Sequence, residues 1–332
     1  MALCEHTNET VMAAIYDLQT GRKVISIGPI VRGGEQVRVY YEDPMRRVRA
    51  NHKTDTSDMV DVVTCVCDIA LSPDGRVLAS VPDADMYRLK KEIEVKLWDT
   101  QTGRELVTFR RPYDRPVNNL LFSPNGHQLV VSSGYQYGDI EVCDTATGQP
   151  IFSKLRGGSP VYSPDGRFLA TFEMDSSVFS TNSLHLWDPQ TFRLVRTLRE
   201  PSEAKTSEAI TLVFDPAGRR VAVTSGSPDG TIKLFEVASG RQLQVLRGDP
   251  ARIESLCFTP DGERLVSSTP EGPVRLWDTR TGRCLLTLQP SLASDAPWGA
   301  DHTRVAVSAD GSCIATAGDR VRLWRAAPAK TK

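Results

Sequence analysis

Apolar and polar residues alternate along short stretches of this chain, and the clearest stretch is residues 252–289. Four apolar runs lie there: Ile253–Phe258, Arg264–Ser267, Val274–Trp277 and Cys284–Leu288. Turn signals separate them at Pro260-Asp261-Gly262, Pro270-Glu271-Gly272-Pro273 and Thr281-Gly282. Alternation with period two predicts half-buried strands, and Asp-Gly and Thr-Gly suit tight turns because glycine accepts positive φ without steric cost. The stretch therefore predicts a four-stranded antiparallel meander, with strands a, b, c and d.

The other parts of the chain are imperfect copies of this unit. The turn between a and b recurs as Ser72-Pro73-Asp74-Gly75, Ser123-Pro124-Asn125-Gly126, Ser163-Pro164-Asp165-Gly166, Asp215-Pro216-Ala217-Gly218, Thr259-Pro260-Asp261-Gly262 and Ser308-Ala309-Asp310-Gly311. Successive copies stand 40 to 52 residues apart. Strand c ends at Trp98-Asp99, Cys143-Asp144, Trp187-Asp188, Phe235-Glu236, Trp277-Asp278 and Trp324-Arg325, with an early copy at Tyr16-Asp17. The turn before d follows at a fixed offset, as in Thr102-Gly103, Thr147-Gly148, Thr191-Phe192, Ser239-Gly240 and Thr281-Gly282. One meander cannot cover its own apolar faces, so a period in the forties predicts radial repetition of packed sheets.

These residues resemble the WD40 repeat family, in its divergent, SPDG-rich, bacterial form. The resemblance spans roughly 11–28 and 62–325, and the Trp-Asp dipeptide stands intact at 98–99, 187–188 and 277–278. Trp98, Asp99, Trp187, Asp188, Trp277 and Asp278 are thus the structural signature, with the tryptophans expected to pack between blades. The family's Gly-His dipeptide is missing; Leu246-Arg247-Gly248-Asp249 comes nearest. Its His–Ser/Thr–Trp hydrogen-bond network is therefore not expected in the usual form. The resemblance implies an all-β fold, a β-propeller of four-stranded antiparallel blades, seven-bladed with an incomplete first/last seam, or alternatively six-bladed.

The phase of the repeat sets the expected boundaries. A single propeller domain over 1–328 carries blades at about 1–28, 62–110, 116–156, 157–200, 207–248, 252–289 and 300–325, and residues 329–332 form a disordered tail. Residues 2–4 fit the end of a b strand, followed by c and d; the far end supplies only a, b and c. The d strand of the last blade and the a strand of the first are thus the missing pieces of a seven-bladed closure. The expectation is a chain that starts late, with an exposed sheet edge at the seam. An insertion at 29–61 interrupts the period, and Glu35–Tyr41 alternates within it. It reads either as a surface hairpin or as a substitute strand.

Composition narrows the function classes. Charge is nearly balanced, at −1 over 332 residues, which argues against nucleic acid or a membrane surface as the partner. No apolar run approaches the ~20 residues that span a bilayer, and the opening MALCEHTNET lacks a signal peptide's basic and apolar regions. Seven scattered cysteines without a CxxC pair read as free thiols in a reducing compartment, so a cytoplasmic location is expected. No HExxH, phosphate loop or GxSxG elbow occurs, so no catalytic residue, metal ligand or cofactor is assigned.

The unusual loops carry the candidate chemistry. The resemblance places the d–a and b–c loops on one face, often the binding face. Basic and aromatic residues cluster in them: Arg46, Arg47 and Arg49 in the insertion, Tyr87, Arg88, Lys90 and Lys91 in the 83–92 loop, and Tyr135 and Tyr137 in the 134–138 loop. Tyr and Arg are the residues that anchor protein interfaces. The expected function is a non-catalytic docking scaffold for other proteins or peptides, as part of a larger polypeptide. The alternative is an enzymatic or small-ligand propeller, hydrolase- or lactonase-like, with its site at the central channel.

Overall fold

The computed structural model describes residues 2–6, 10–16, 23–32, 66–82, 92–112, 117–133, 139–173, 183–199, 211–224, 230–248, 251–269, 273–288, 304–317 and 321–325. Among these, every regular element is a strand. The chain divides into two compact units, Met1–Pro160 and Val161–Lys332.

The first unit opens with β1 (Ala2–His6), β2 (Thr10–Tyr16) and β3 (Lys23–Arg32), an antiparallel sheet in that order. Two four-stranded meanders follow: β4 (Val66–Leu71), β5 (Val77–Pro82), β6 (Glu92–Asp99) and β7 (Glu105–Pro112), then β8 (Val117–Phe122), β9 (Gln128–Ser133), β10 (Asp139–Asp144) and β11 (Pro150–Arg156). β12 (Gly158–Tyr162) contains the boundary between the units and heads a sheet with β13 (Leu169–Glu173), β14 (Ser183–Trp187) and β15 (Leu194–Arg199).

The second unit continues with β16 (Leu212–Phe214), β17 (Arg220–Thr224), β18 (Thr231–Glu236) and β19 (Gln242–Arg247). Next come β20 (Ser255–Phe258), β21 (Arg264–Ser268), β22 (Val274–Asp278) and β23 (Cys284–Leu288). The last sheet has three strands, β24 (Arg304–Val307), β25 (Cys313–Ala317) and β26 (Val321–Arg325). Among the described residues, five sheets thus hold four strands, and the first and last hold three. The repeat phase makes β1–β3 the b, c and d strands of their sheet, and β24–β26 the a, b and c strands of theirs.

The sheets pack through both faces, which explains the near-continuous apolar b strands. In β17, Val221 and Val223 join a core with Leu184, Leu186 and Leu198 of the preceding sheet. Ala222, between them, joins Ile232, Leu234 and Leu246 in a core with Ile253, Leu256, Phe258, Leu265 and Trp277 of the following sheet. Neighbouring side chains of a strand point to opposite faces, so a strand covered on both sides needs apolar residues at every position. In the first unit, β5, β6, β8 and β9 share an equivalent core built on Val81, Leu97, Leu120 and Leu129.

The turns between c and d are also packing surfaces. Gly148 has φ +71°, and a Cβ there would stand 2.9 Å from side-chain atoms of both Val107 and Phe109 in the preceding sheet. Phe192 takes the glycine position in its own turn, with φ 53° and its ring buried.

Candidate functional site

Each repeat is held by two recurring hydrogen-bond devices. At the a–b turn a hydroxyl donates to the acid or amide two residues on: Ser72 to Asp74 at 2.7 Å, Ser123 to Asn125 at 2.7 Å, and Ser163 to Asp165 at 2.6 Å. The same hydroxyl accepts the amide of the first b residue, as Ser72 does from Val77 at 2.9 Å. At the c–d turn the terminal aspartate accepts two amides. Asp99 takes those of Gln101 (3.0 Å) and Thr102 (2.7 Å) and also the Thr102 hydroxyl (2.8 Å). Asp144, Asp188 and Asp278 take the corresponding amides.

These bonds favour the charged form of the acid, so Asp99, Asp144, Asp188 and Asp278 lie below the usual carboxylate range. The threonine amide contributes most at Asp99, Asp188 and Asp278, and the Thr147 hydroxyl contributes most at Asp144. Asp310 is lowered to about 2, chiefly by the Ser308 hydroxyl. These acids are structural caps.

Three of the signature tryptophans make the hydroxyl–tryptophan bond of the His–Ser/Thr–Trp network. The indole Nε1 of Trp98 donates to Ser80, that of Trp187 to Thr171 and that of Trp277 to Ser267, each at 2.9 Å. In all three sheets the hydroxyl lies on strand b, two residues beyond the one paired with the tryptophan. Where strand c ends in Cys143 or Phe235, the same position holds Val131 or Val223. Donor and acceptor are therefore replaced together, and no buried hydroxyl is left without its partner at that position. Trp277 packs against the preceding sheet in the core that includes Leu246.

A row of charged or titratable residues lies on strand c, two positions before the aromatic. Lys96 Nζ is 2.9 Å from Glu105. Glu141 pairs with Arg111 of the preceding sheet. His185 contacts Glu173 and Thr197, each at 3.0 Å, which ties three adjacent strands of one sheet. Among the described residues no group of three or more His, Cys, Asp or Glu could hold a metal ion. Cys143, Cys257, Cys284 and Cys313 are free thiols, and burial pushes the Cys143 thiol up to about 12.

One constellation escaped the sequence reading. Asp215 occupies the turn position that holds a hydroxyl in the other copies, and its Oδ1 accepts the amides of Arg219 (2.7 Å) and Arg220 (2.9 Å). Its Oδ2 receives Arg220 Nε at 3.0 Å. Arg220 then crosses to the next sheet, donating Nη1 to Thr279 (2.9 Å) and Nη2 to the Gly262 carbonyl (2.6 Å). The pair borders an open cleft of about 630 Å³ lined also by Pro216, Glu236, Leu243 and Asp261. The signal was present: this copy alone carries its acid at 215 and alanine at 217, with arginine five residues after the acid.

The sequence-predicted loop residues Arg46, Arg47, Arg49, Tyr87, Arg88, Lys90, Lys91, Tyr135 and Tyr137 lie outside the described residues. So do residues 35–41 of the insertion. The strands that flank these segments are described. Segment 83–91 joins β5 to β6, 134–138 joins β9 to β10, and 33–65 joins β3 to β4. These are b–c and d–a connections, which in an antiparallel meander leave from the end opposite the capped turns. At the base of 134–138, Ser133 Oγ donates to the Asp139 carbonyl at 3.1 Å.

Capped four-stranded meanders that repeat and bury both faces define a β-propeller. Over 98% of its length the chain matches a chain of the crystal structure of the Mitotic Checkpoint Complex, covering 87% of that chain with a TM-score of 0.63 at 16% identity. Residues 192–236 and 240–278 match the family described as WD domain, G-beta repeat. The protein is a WD40-repeat protein. Each matched segment runs from a c–d turn to the end of the next c strand, so the sequence repeat straddles two sheets. The chain is 31% identical over 187 residues to the WD repeat-containing protein VIP3 of Arabidopsis thaliana, covering 52% of this chain and 55% of VIP3. It is 25% identical over 183 residues to the COMPASS component SWD3 of Saccharomyces cerevisiae, covering 54% of this chain and 51% of SWD3. The matches thus span about half the length of these relatives.

Proposed function

We infer that the chain is a non-catalytic scaffold that binds other proteins or peptides through the b–c and d–a connections of its sheets. One contrast carries the reading. From β4 onward the a–b and c–d turns are short and capped by the same few bonds, whereas the b–c and d–a connections vary in length and composition. A regular frame with variable connections at one end of each sheet is how rigid scaffolds present recognition residues. The basic and aromatic residues Arg46, Arg47, Arg49, Tyr87, Arg88, Lys90, Lys91, Tyr135 and Tyr137 all belong to such connections.

The relatives support the same reading, since SWD3 is by its description a component of an assembly. The described aspartates support the non-catalytic part, because Asp99, Asp144, Asp188 and Asp278 are engaged in capping backbone amides. The nearly neutral net charge favours protein partners over nucleic acid.

The test is quantitative affinity capture with the intact chain, comparing wild type with Arg46→Glu/Arg47→Glu/Arg49→Glu and with Tyr87→Ala/Tyr135→Ala. A specific set of proteins is expected to bind wild type and to be depleted several-fold with each variant. Full recovery of that set by both variants would place binding elsewhere.

A further inference from the structure

We draw no further inference here: the strongest candidate, the open cleft at the capped-turn end of the β16–β19 and β20–β23 sheets, belongs to the Asp215–Arg220 constellation already described, and because the buried carboxylate of that pair is engaged by its own turn, no group lining the cleft specifies a ligand.

Discussion

Asp215 and Arg220 meet at 3.0 Å across a turn that elsewhere in the chain is closed by a serine or threonine hydroxyl. The acid has in effect moved two residues along the turn, from the place of Asp165 or Asp261 to the place of Ser163 or Thr259. That move lets a b-strand arginine fold back onto it. The guanidinium then reaches Thr279 and Gly262, so one ion pair closes its own turn and fastens the next sheet.

Removing Arg220 is therefore more damaging than removing an ordinary surface charge. The Asp215 side chain is only 3% exposed, and a buried carboxylate that loses its partner costs about 3–5 kcal/mol. Arg220→Ala should lower the unfolding free energy by about 3 kcal/mol, near the bottom of that range because the arginine is partly exposed. The triple change Asp215→Ser/Ala217→Asp/Arg220→Val recreates the Ser72-Pro73-Asp74 turn with Val77 after it, and should recover most of the loss. Urea unfolding of both proteins checks this.

The paired replacement of tryptophan and hydroxyl gives a second expectation. Ser267→Ala leaves the buried Trp277 N–H without an acceptor and should cost about 1–3 kcal/mol. Ser267→Val with Trp277→Phe copies Val223 and Phe235 and should cost less than the sum of the two single changes. A double-mutant cycle read by denaturant midpoints measures that coupling.

The turn acids set the acid limb of the stability curve. Asp99, Asp144, Asp188, Asp261, Asp278 and Asp310 are all lowered from an ordinary value of 3.8. An unfolded chain then binds more protons than the folded one between the lowered and ordinary values, so stability rises with pH across that interval. Their contribution is complete above the ordinary range and is lost as pH falls below 3.8, down to about 2 for Asp310. Unfolding midpoints measured from pH 6 downward should fall most steeply in that window, and Asp310→Asn should flatten its lowest part.

Gly148 tests the packing of a turn against the preceding sheet. Alanine there must keep φ near +71° and would place its Cβ 2.9 Å from Val107 and Phe109. Left-handed backbone at a non-glycine residue costs of order 1–3 kcal/mol before any clash is counted. Gly148→Ala should lower the thermal midpoint by several degrees, and Val107→Ala added to it should restore part of the loss by making room.

Much of the frame was readable from the chain because its causes are local. Two-residue alternation, Asp-Gly turns and the offset from Trp98 to Thr102 fix strands and caps within one repeat. Two features were not readable. The exchange of Trp and Ser for Phe235 and Val223 makes sense only with the register between strands b and c known. The reach of Arg220 to Gly262, 42 residues away, depends on how consecutive sheets stack. The loss of the Gly-His dipeptide suggested that the tryptophan network would not form in its usual way; three of the tryptophans still donate to hydroxyls on strand b. The loop residues proposed for binding lie outside the described residues.

Burial on both faces of β17 also shapes how motion spreads through the second unit. A sheet held by neighbours on each side cannot loosen without disturbing both, so it exchanges its amide hydrogens only when they yield too. The sheet of β24–β26 ends at β26, an edge among the described residues, and among those residues it has no ion clamp like that of Arg220. Hydrogen exchange should therefore advance inward from β26 like fraying at the end of a rope, with the amides of Val221 to Val223 among the last to go.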